Sequence, residues 1–417
     1  MNDKKDVLII GGGIVGLCCA YSLLKEGCSV TIFEKDDIGS GASFGNAGFV
    51  APSHFIPLAS PGMIAKGLRW MLNPESPFYV KPRFDLDLIS WMWKFRAAST
   101  QAHVDRSKGL LRDLCLGSVP LYDEMSRLNG TSFFYEKIGL FMMFRTEKGR
   151  KENLGAAEIA QQIGIEAKVL DNDGMRELDP KLESKALGAV FYQQDCHIDP
   201  EQFLKKLSAY LEKNGVTIHR GAEVKAFEKK KGAVTGVVTS KGKHEADVFV
   251  LASGAWTAGM VRELNVSIPL QPAKGYSITI PSDNHPRIPL ILTESKVAVT
   301  PLGDRMRFAG TLELAGISHT INQRRVNAIL KAVPLYMGGF DNIDLGTATI
   351  WGGMRPCTPD GLPYVGRFHR YNNLIAATGH AMLGITLAPI TGQLVAEIAT
   401  EKKPSIDVAM LDPDRYG

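Results

Sequence analysis

The chain has 417 residues, 45% of them hydrophobic and 22% charged, with a formal net charge of +4. This length exceeds what one hydrophobic core usually fills, so we expect two domains, and the small net charge gives no indication of nucleic-acid binding. Six scattered cysteines without C-x-x-C spacing predict a reduced, cytoplasmic protein with neither a disulfide framework nor a metal site.

The first 34 residues follow the pattern of a dinucleotide-binding unit. The apolar run Val7–Ile10 predicts a buried parallel strand, and glycines in the G-x-G-x-x-G spacing, a helical periodicity and the strand Val30–Phe33 follow it. The spacing assigns a tight turn to the first glycine, close approach to a pyrophosphate to the second and helix–sheet packing to the third. The predicted phosphate-binding residues are Gly11, Gly13, Ile14, Val15 and Gly16.

Glu34 ends the second predicted strand. In this position a carboxylate accepts hydrogen bonds from the adenosine ribose hydroxyls, and it disfavours the 2′-phosphate of NADP. We include the adjacent Lys35 among the predicted cofactor contacts.

A run of small residues, 39–48, stands where an NAD-binding fold would continue with a regular strand–helix repeat. Small residues let the backbone pass close to an extended ligand, and polar side chains in the run add contacts. A flexible loop is the alternative interpretation. We expect a second cofactor-contacting segment, which favours FAD over NAD, through Ser43, Asn46, Ala47 and Gly48.

Several further motifs follow along the chain in a characteristic order. After GGGIVG, ASFGNAG and Ser60-Pro-Gly62 come Lys274-Gly-Tyr-Ser277, Arg355-Pro-Cys-Thr-Pro-Asp-Gly361 and Thr378-Gly-His-Ala-Met-Leu-Gly384. In order and spacing the chain resembles the bacterial FAD-dependent D-amino acid dehydrogenases, within the superfamily of D-amino acid oxidase and glycine oxidase.

The expected fold is α/β, with a Rossmann-like FAD-binding domain interleaved with an α+β substrate domain built on an antiparallel sheet. The absence of a long linker and the alternating apolar runs between 269 and 345 support this interpretation. We assign residues 1–51, 145–256 and 346–417 to the FAD-binding domain, and 52–144 and 257–345 to the substrate domain. Within the latter, the apolar stripe of Leu86–Phe95 predicts core packing or, alternatively, a membrane-contact patch.

The resemblance implies further contacts with a non-covalently bound FAD. It places the backbone of Val224 against adenine and a small-residue turn containing Gly254 close to the cofactor. The turn before the last helix, with Gly384, Ile385 and Thr386, would present a helix N-terminus to the flavin, where reduced flavin carries negative charge.

Arg355 follows an apolar run, where an isolated cation needs an anion. A guanidinium binds a carboxylate through two parallel hydrogen bonds, and the resemblance makes Arg355 the clamp of the substrate carboxylate. An internal salt bridge to Asp360 is the alternative. Tyr276 and His380 are further catalytic candidates, each about as well explained by packing.

The motifs and the resemblance together predict FAD-dependent oxidation of amino acids by hydride transfer from Cα to flavin N5. The D configuration, with D-proline or hydroxy-D-proline as variants, is implied by the resemblance alone. The resemblance implies a quinone of the respiratory chain as electron acceptor and is compatible with peripheral contact to the inner face of the cell membrane. A glycine or sarcosine oxidase that uses oxygen and a non-catalytic flavin subunit of a larger complex remain alternatives.

Overall fold

The computed structural model describes residues 4–71, 73, 75–283 and 285–417, and two large β-sheets organise them. The strands are, in chain order, β1 (Asp6–Ile10), β2 (Ser29–Phe33), β3 (Phe49–Val50), β4 (Phe78–Val80), β5 (Tyr135–Glu136), β6 (Leu140–Phe144), β7 (Ala167–Leu170), β8 (Gly188–Tyr192), β9 (Cys196–Ile198), β10 (Thr217–His219), β11 (Val224–Lys230), β12 (Ala233–Thr239), β13 (Gly242–His244), β14 (Val248–Leu251), β15 (Gln271–Pro281), β16 (Leu290–Leu292), β17 (Val297–Pro301), β18 (Arg305–Leu314), β19 (Thr349–Cys357), β20 (Tyr364–Phe368) and β21 (Tyr371–Thr378). The helices are α1 (Ile14–Lys25), α2 (Met63–Met71), α3 (Leu86–Ala98), α4 (Gln101–Ser126), α5 (Glu147–Gln162), α6 (Asn172–Leu178), α7 (Pro200–Lys213), α8 (Thr257–Met260), α9 (Gln323–Ala332) and α10 (Gly384–Ala399).

The first sheet has six strands in the order β10-β2-β1-β14-β21-β20, and all of its pairs are parallel except β20–β21. Both faces of β1 are covered, which explains why its sequence is a continuous apolar run. Helices α1, α4 and α10 pack on one face, and β11–β13 lie on the other. The predicted succession of strand, glycine turn, helix and strand is confirmed at the centre of this sheet.

The second sheet has nine strands, which run β19-β15-β18-β17-β16-β6-β8-β7, with β4 added beside β18. Most of its pairs are antiparallel, as predicted. Helix α9 packs on one face through Val326 and Ile329. The other face meets the small-residue loop 39–48, since Arg307 of β18 donates to the Asn46 carbonyl. At the sheet edge, the Met354 N–H of β19 donates to the Gly41 carbonyl.

The structure divides the chain differently from the predicted domain boundaries in three places. Strands β7 and β8 and the edge strand β19, which we assigned to the FAD-binding domain, belong to the nine-stranded sheet. Helix α4, assigned to the substrate domain, packs instead on α1 and α10 beside the parallel sheet. Short apolar runs do not specify which sheet a strand joins, because pairing partners lie far away in sequence.

Helix α3 forms where the sequence predicts it, but its buried stripe differs. Leu88 and Trp91 are buried against Cys357, and the Trp91 indole N–H donates to the Cys357 carbonyl. Met92 and Trp93 are exposed.

By length and apolar composition, Ala381–Ala399 is the one helical stretch among the described residues that could cross a membrane. It is 61% buried and packs against α1 and α4, as a core helix does.

The contact between α1 and α10 depends on a glycine. A Cβ on Gly392 would lie 2.4 Å from the Cys18 carbonyl oxygen, whereas a Cβ on Gly109, in α4, would meet no atom within 4 Å. We expect Gly392→Ala to destabilise the protein by about 1–3 kcal/mol through overpacking. Gly109→Ala should stabilise it by up to about 1 kcal/mol through helix propensity. Urea unfolding of the two variants tests this, and equal stabilities would contradict the packing argument.

Candidate active site

The glycine turn has the steric form that phosphate binding requires. Gly11 has φ +114°, and its Cβ would lie 2.5 Å from the Ala252 carbonyl oxygen. A Cβ on Gly16 would lie 2.0 Å from the Gly11 oxygen. The first and third glycines are therefore fixed by packing, while Gly13 is open except for Ser43 Oγ at 3.4 Å.

Helix α1 begins directly after Gly13. Gly13 has no side chain that could cap this helix, and the first turn contains no acidic residue. The positive end of the helix dipole is therefore not neutralised by these residues. The Ile14 N–H donates to Ser43 Oγ at 3.1 Å, and Val15 follows in the first turn. Free N–H groups at a helix N-terminus beside an open glycine form an anion-binding geometry that fits a pyrophosphate.

Glu34 lies beside this turn. Its carboxylate accepts hydrogen bonds from the Gly12 N–H at 2.7 Å and the Asp36 N–H at 2.9 Å. Lys35 pairs with Asp36 and lies over the Trp256 ring at 4.6 Å. The backbone thus holds the carboxylate at the end of β2, where a ribose would lie.

The loop 39–48 is held from both sides. Asn46 Oδ1 accepts from the Gly48 N–H at 3.0 Å, and Ala47 lies between these two residues. Gly48 has φ +85°, and its Cβ would lie 2.3 Å from the Ile198 oxygen. Arg307 of β18 donates to the Asn46 carbonyl at 2.7 Å, a contact that the sequence analysis missed.

The N-terminus of α10 reaches the same region. Thr386 Oγ1 donates to the Phe49 carbonyl at 3.0 Å and accepts from the Ala51 N–H at 3.2 Å. The Ile385 carbonyl accepts from the Tyr122 hydroxyl, and Gly384 begins the helix without a side-chain cap. The positive end of α10 is therefore fixed to the chain that follows the loop.

Two further predicted contacts lie after β14 of the parallel sheet and at the start of β11, in the small sheet that covers one of its faces. Gly254 follows β14 with φ +54°, and its carbonyl accepts from Thr378 Oγ1 at 3.1 Å. Val224 begins β11 and is almost fully buried.

Arg355 is a cation without an anion. Its Nη1 donates to the Thr311 carbonyl at 2.7 Å, and no acidic side chain pairs with it among the residues that the structure describes. Burial lowers the pKa of Arg355, with no carboxylate to offset the effect. The alternative partner, Asp360, is bound in a bidentate pair with Arg415 at 2.8 and 3.0 Å.

A neighbouring glycine provides the space for this guanidinium. A Cβ on Gly275 would lie 1.9 Å from Arg355 Nη1. Gly275 belongs to the Lys274–Ser277 motif that the sequence analysis identified. The residues of this motif do not by themselves indicate that the glycine lies against Arg355.

Tyr276 lies on the opposite face of the sheet from Arg355. Arg355 pairs with Ala273 and lies over Gly275, whereas Tyr276 pairs with Gly352, and successive residues of a strand point to opposite faces. The Tyr276 hydroxyl donates to Glu313 at 2.9 Å in the core beneath α9. The structure therefore does not bring Tyr276 together with Arg355.

His380 is buried against helix α10, where its Nε2 lies 2.9 Å from Thr391 Oγ1. Burial lowers its pKa to about 3, so the imidazole is neutral. These contacts favour a structural role over the predicted catalytic one.

The structure thus brings together a dinucleotide-type glycine turn, the small-residue loop 39–48 and the guanidinium of Arg355, which has no acidic partner among the described residues. This combination fits a nucleotide-binding oxidoreductase. The family described as DAO, FAD dependent oxidoreductase, matches residues 6–398. A D-amino acid dehydrogenase of Granulibacter bethesdensis is 33% identical over 417 residues, covering 98% of this chain and 99% of that protein. One from Helicobacter pylori is 32% identical over 400 residues, 95% of each.

Solved structures share the fold. Glycine oxidase from Geobacillus kaustophilus gives a TM-score of 0.80 at 22% identity, covering 99% of both chains. L-proline dehydrogenase from P. horikoshii gives 0.75 at 21% identity, covering 100% of this chain and 98% of that one. The chain belongs to the family of FAD-dependent oxidoreductases, as the sequence motifs predict. Its open glycine, its two uncapped helix N-termini and the fixed carboxylate of Glu34 fit FAD.

Gly13 allows a direct test of the phosphate turn. Its backbone is extended and its Cβ position is open, so Gly13→Ala should fold normally. The added methyl group would stand where a phosphate approaches, and we expect the Kd for FAD to rise at least tenfold (about 1.4 kcal/mol). Titration of the apoprotein with FAD measures this. Gly259→Ala is the control, since a Cβ at this position meets no atom within 4 Å and lies outside the glycine turn. An unchanged affinity in Gly13→Ala would exclude contact between the turn and the phosphates.

Proposed function

We propose that this enzyme dehydrogenates D-amino acids, with D-proline and hydroxy-D-proline among its candidate substrates. The observation that carries the proposal is the unpaired guanidinium of Arg355 on the sheet face that meets the cofactor loop. Buried cations are costly without an anion, and a carboxylate matches the guanidinium fork. The D configuration is supported by the names of curated relatives at 32–34% identity.

The residues of the chain act mainly by binding and orientation. Arg355 holds the α-carboxylate, and the rigid β15–β19 pair fixes the direction of the substrate Cα. FAD, when bound, supplies a two-electron acceptor for the Cα hydride. The imino acid released is hydrolysed by water to a 2-oxo acid and ammonia, whereas a cyclic imine from a proline-type substrate persists.

FAD is proposed to be non-covalent. The thiol of Cys357, the cysteine nearest the Arg355 motif, is buried beneath α3, and burial raises its pKa to about 12. The other five cysteines are also buried. Release of the yellow colour into the supernatant after acid precipitation would support this, and retention in the pellet would refute it.

The identity of the electron acceptor distinguishes the proposed dehydrogenase from the alternative functions. An anaerobic panel of D- and L-amino acids should bleach the bound flavin with D-isomers only, and a quinone analogue should restore the colour. Peroxide release in air that matches substrate loss would favour an oxidase instead. A flavin that no amino acid bleaches would favour a non-catalytic subunit.

Apolar side chains that are exposed along the segment from α2 to α3, together called the α2–α3 surface, support peripheral contact of the enzyme with a membrane that contains the quinone acceptor. It comprises Leu68, Phe84, Leu86 and Trp93, whose exposed fractions are 62%, 90%, 69% and 65%. The exposed basic residues Arg69, Lys81 and Arg96 lie in the same segment. Apolar side chains with nearby cations suit an anionic lipid surface.

Substitution of the clamp tests the substrate proposal. Arg355→Leu should retain FAD while kcat/KM for amino acids falls a hundredfold or more, because a charge-assisted bidentate contact is lost. The amides of the same amino acids provide the control, since wild type and variant should oxidise them equally slowly. Near-normal turnover of amino acids in the variant would remove Arg355 from the site.

Vesicle sedimentation tests the membrane contact. Leu68→Ser with Trp93→Ser removes two apolar side chains from the α2–α3 surface, each worth about 1.5–3 kcal/mol when buried. We expect binding to phosphatidylglycerol vesicles to weaken at least tenfold with activity toward a soluble acceptor unchanged. Leu187→Ser, at a 51% exposed residue outside this segment, is the control. Equal binding by all three proteins would contradict the proposal.

A further inference from the structure

A buried hydrogen-bonded chain leads from Asp195 to His54. The Asp195 carboxylate accepts from the Ser53 N–H at 3.0 Å and from Ser53 Oγ at 2.5 Å. Ser53 Oγ also lies 3.0 Å from His54 Nδ1. Asp195 is fully buried and Ser53 nearly so, while the His54 ring at the end of the chain is partly exposed.

The hydrogen bonds from Asp195 through Ser53 fix the tautomer of His54. Because the Ser53 hydroxyl donates its proton to Asp195, its oxygen accepts from His54, and the imidazole carries its proton on Nδ1. The Nε2 atom is then a free acceptor, and it has no hydrogen-bond partner among the described side chains and backbone groups. A neutral imidazole oriented in this way is a typical proton acceptor.

His54 follows the cofactor loop in the chain, and its neighbour Phe55 packs against Phe144 and Tyr192 of the nine-stranded sheet that also carries Arg355. The backbone three residues earlier, at Ala51, is bound to Thr386 at the N-terminus of α10. The positive charge of Lys296 lowers the pKa of His54, in addition to the effect of burial. Lys296 precedes β17, which pairs with β18, and the Thr311 carbonyl of β18 accepts from Arg355.

The groups that face Asp195 leave its charge uncompensated. They are Ser53, the thiols of Cys115 from α4 and Cys196 from β9, and the phenol of Tyr192 from β8. Burial raises the pKa of Asp195 to about 7, and burial together with Lys296 lowers the pKa of His54 to about 4. A proton that enters at His54 is therefore more stable on Asp195.

We propose that His54, Ser53 and Asp195 form a relay that removes the proton from the substrate ammonium group. This inference rests on the proposed function, because an amino acid carries a protonated amine at neutral pH and hydride departure from Cα needs the nitrogen lone pair. The ammonium proton passes to His54 Nε2, the Nδ1 proton to Ser53 Oγ, and the Ser53 proton to the Asp195 carboxylate. The amine becomes neutral, Asp195 becomes a carboxylic acid, and no electrons are transferred in this step. His54 is the catalytic residue, and Ser53 and Asp195 are positioning residues that act through it.

The pH profile of kcat/KM under anaerobic conditions tests the relay. In wild type it should rise with pH through an apparent pKa near 7, because only ionised Asp195 accepts the proton. In His54→Gln we expect a loss of about a hundredfold at pH 7, as general-base catalysis implies, and recovery to near wild-type values above the pKa of the free substrate amine. Asp195→Asn should show the same alkaline recovery. His369→Gln, at an exposed histidine, is the control and should leave the profile unchanged.

Ser53→Ala provides a second variant that removes only the middle hydroxyl. It should fold, bind FAD and shift the rising part of the kcat/KM pH profile to more alkaline pH. The test therefore does not depend on the stability of the other two variants. A loss that is equal at every pH in these variants would overturn the relay and leave a structural role. Failure of the proposed function is distinct, because wild-type flavin would then stay unbleached with every amino acid.

Discussion

The constraint on which the site depends is a guanidinium that is partly withdrawn from water and has no acidic partner among the described residues. Arg355 has one backbone acceptor, the Thr311 carbonyl, and the nearby carboxylate of Asp360 is already committed to Arg415. Arginine does not escape this cost by losing its proton, since guanidinium stays charged in proteins. In the proposed function, a substrate carboxylate offsets the cost of the unpaired cation when it binds, which would make the site selective for an anionic substrate.

The clamp serves catalysis only if the cofactor lies at a fixed distance from it, and the interleaving of the chain provides this. The cofactor loop 39–48 is bound to the nine-stranded sheet through Gly41 and, by Arg307, through Asn46. The chain that follows the loop is bound to α10 by Thr386. The loop and the chain that follows it are therefore held both by the nine-stranded sheet and by α10. In the proposed function, these contacts fix the position of the cofactor relative to the substrate.

Features set by local sequence were predictable, and those set by strand pairing were not. The spacing of Gly11, Gly13 and Gly16 is itself the signal for the turn, and the steric role of each glycine follows from it. Tyr276 was a different case. Which face of the sheet it occupies depends on register with β19, which a lone motif does not contain. Gly275 and Arg355 are eighty positions apart in the sequence, so their contact could not be predicted from the sequence for the same reason.

In the proposed function and the proposed relay, groups of different chemistry bind the two ends of the amino acid. The carboxylate meets a cation that does not titrate in the working range of pH, so the capture of the substrate by Arg355 does not vary with pH. The ammonium faces a relay that ends at Asp195, whose burial brings its pKa close to 7. Reactivity, unlike capture, then follows pH, and the same withdrawal from water that makes Arg355 an anion site makes Asp195 a proton acceptor. Burial of two opposite charges at separate points thus assigns binding to one and proton removal to the other.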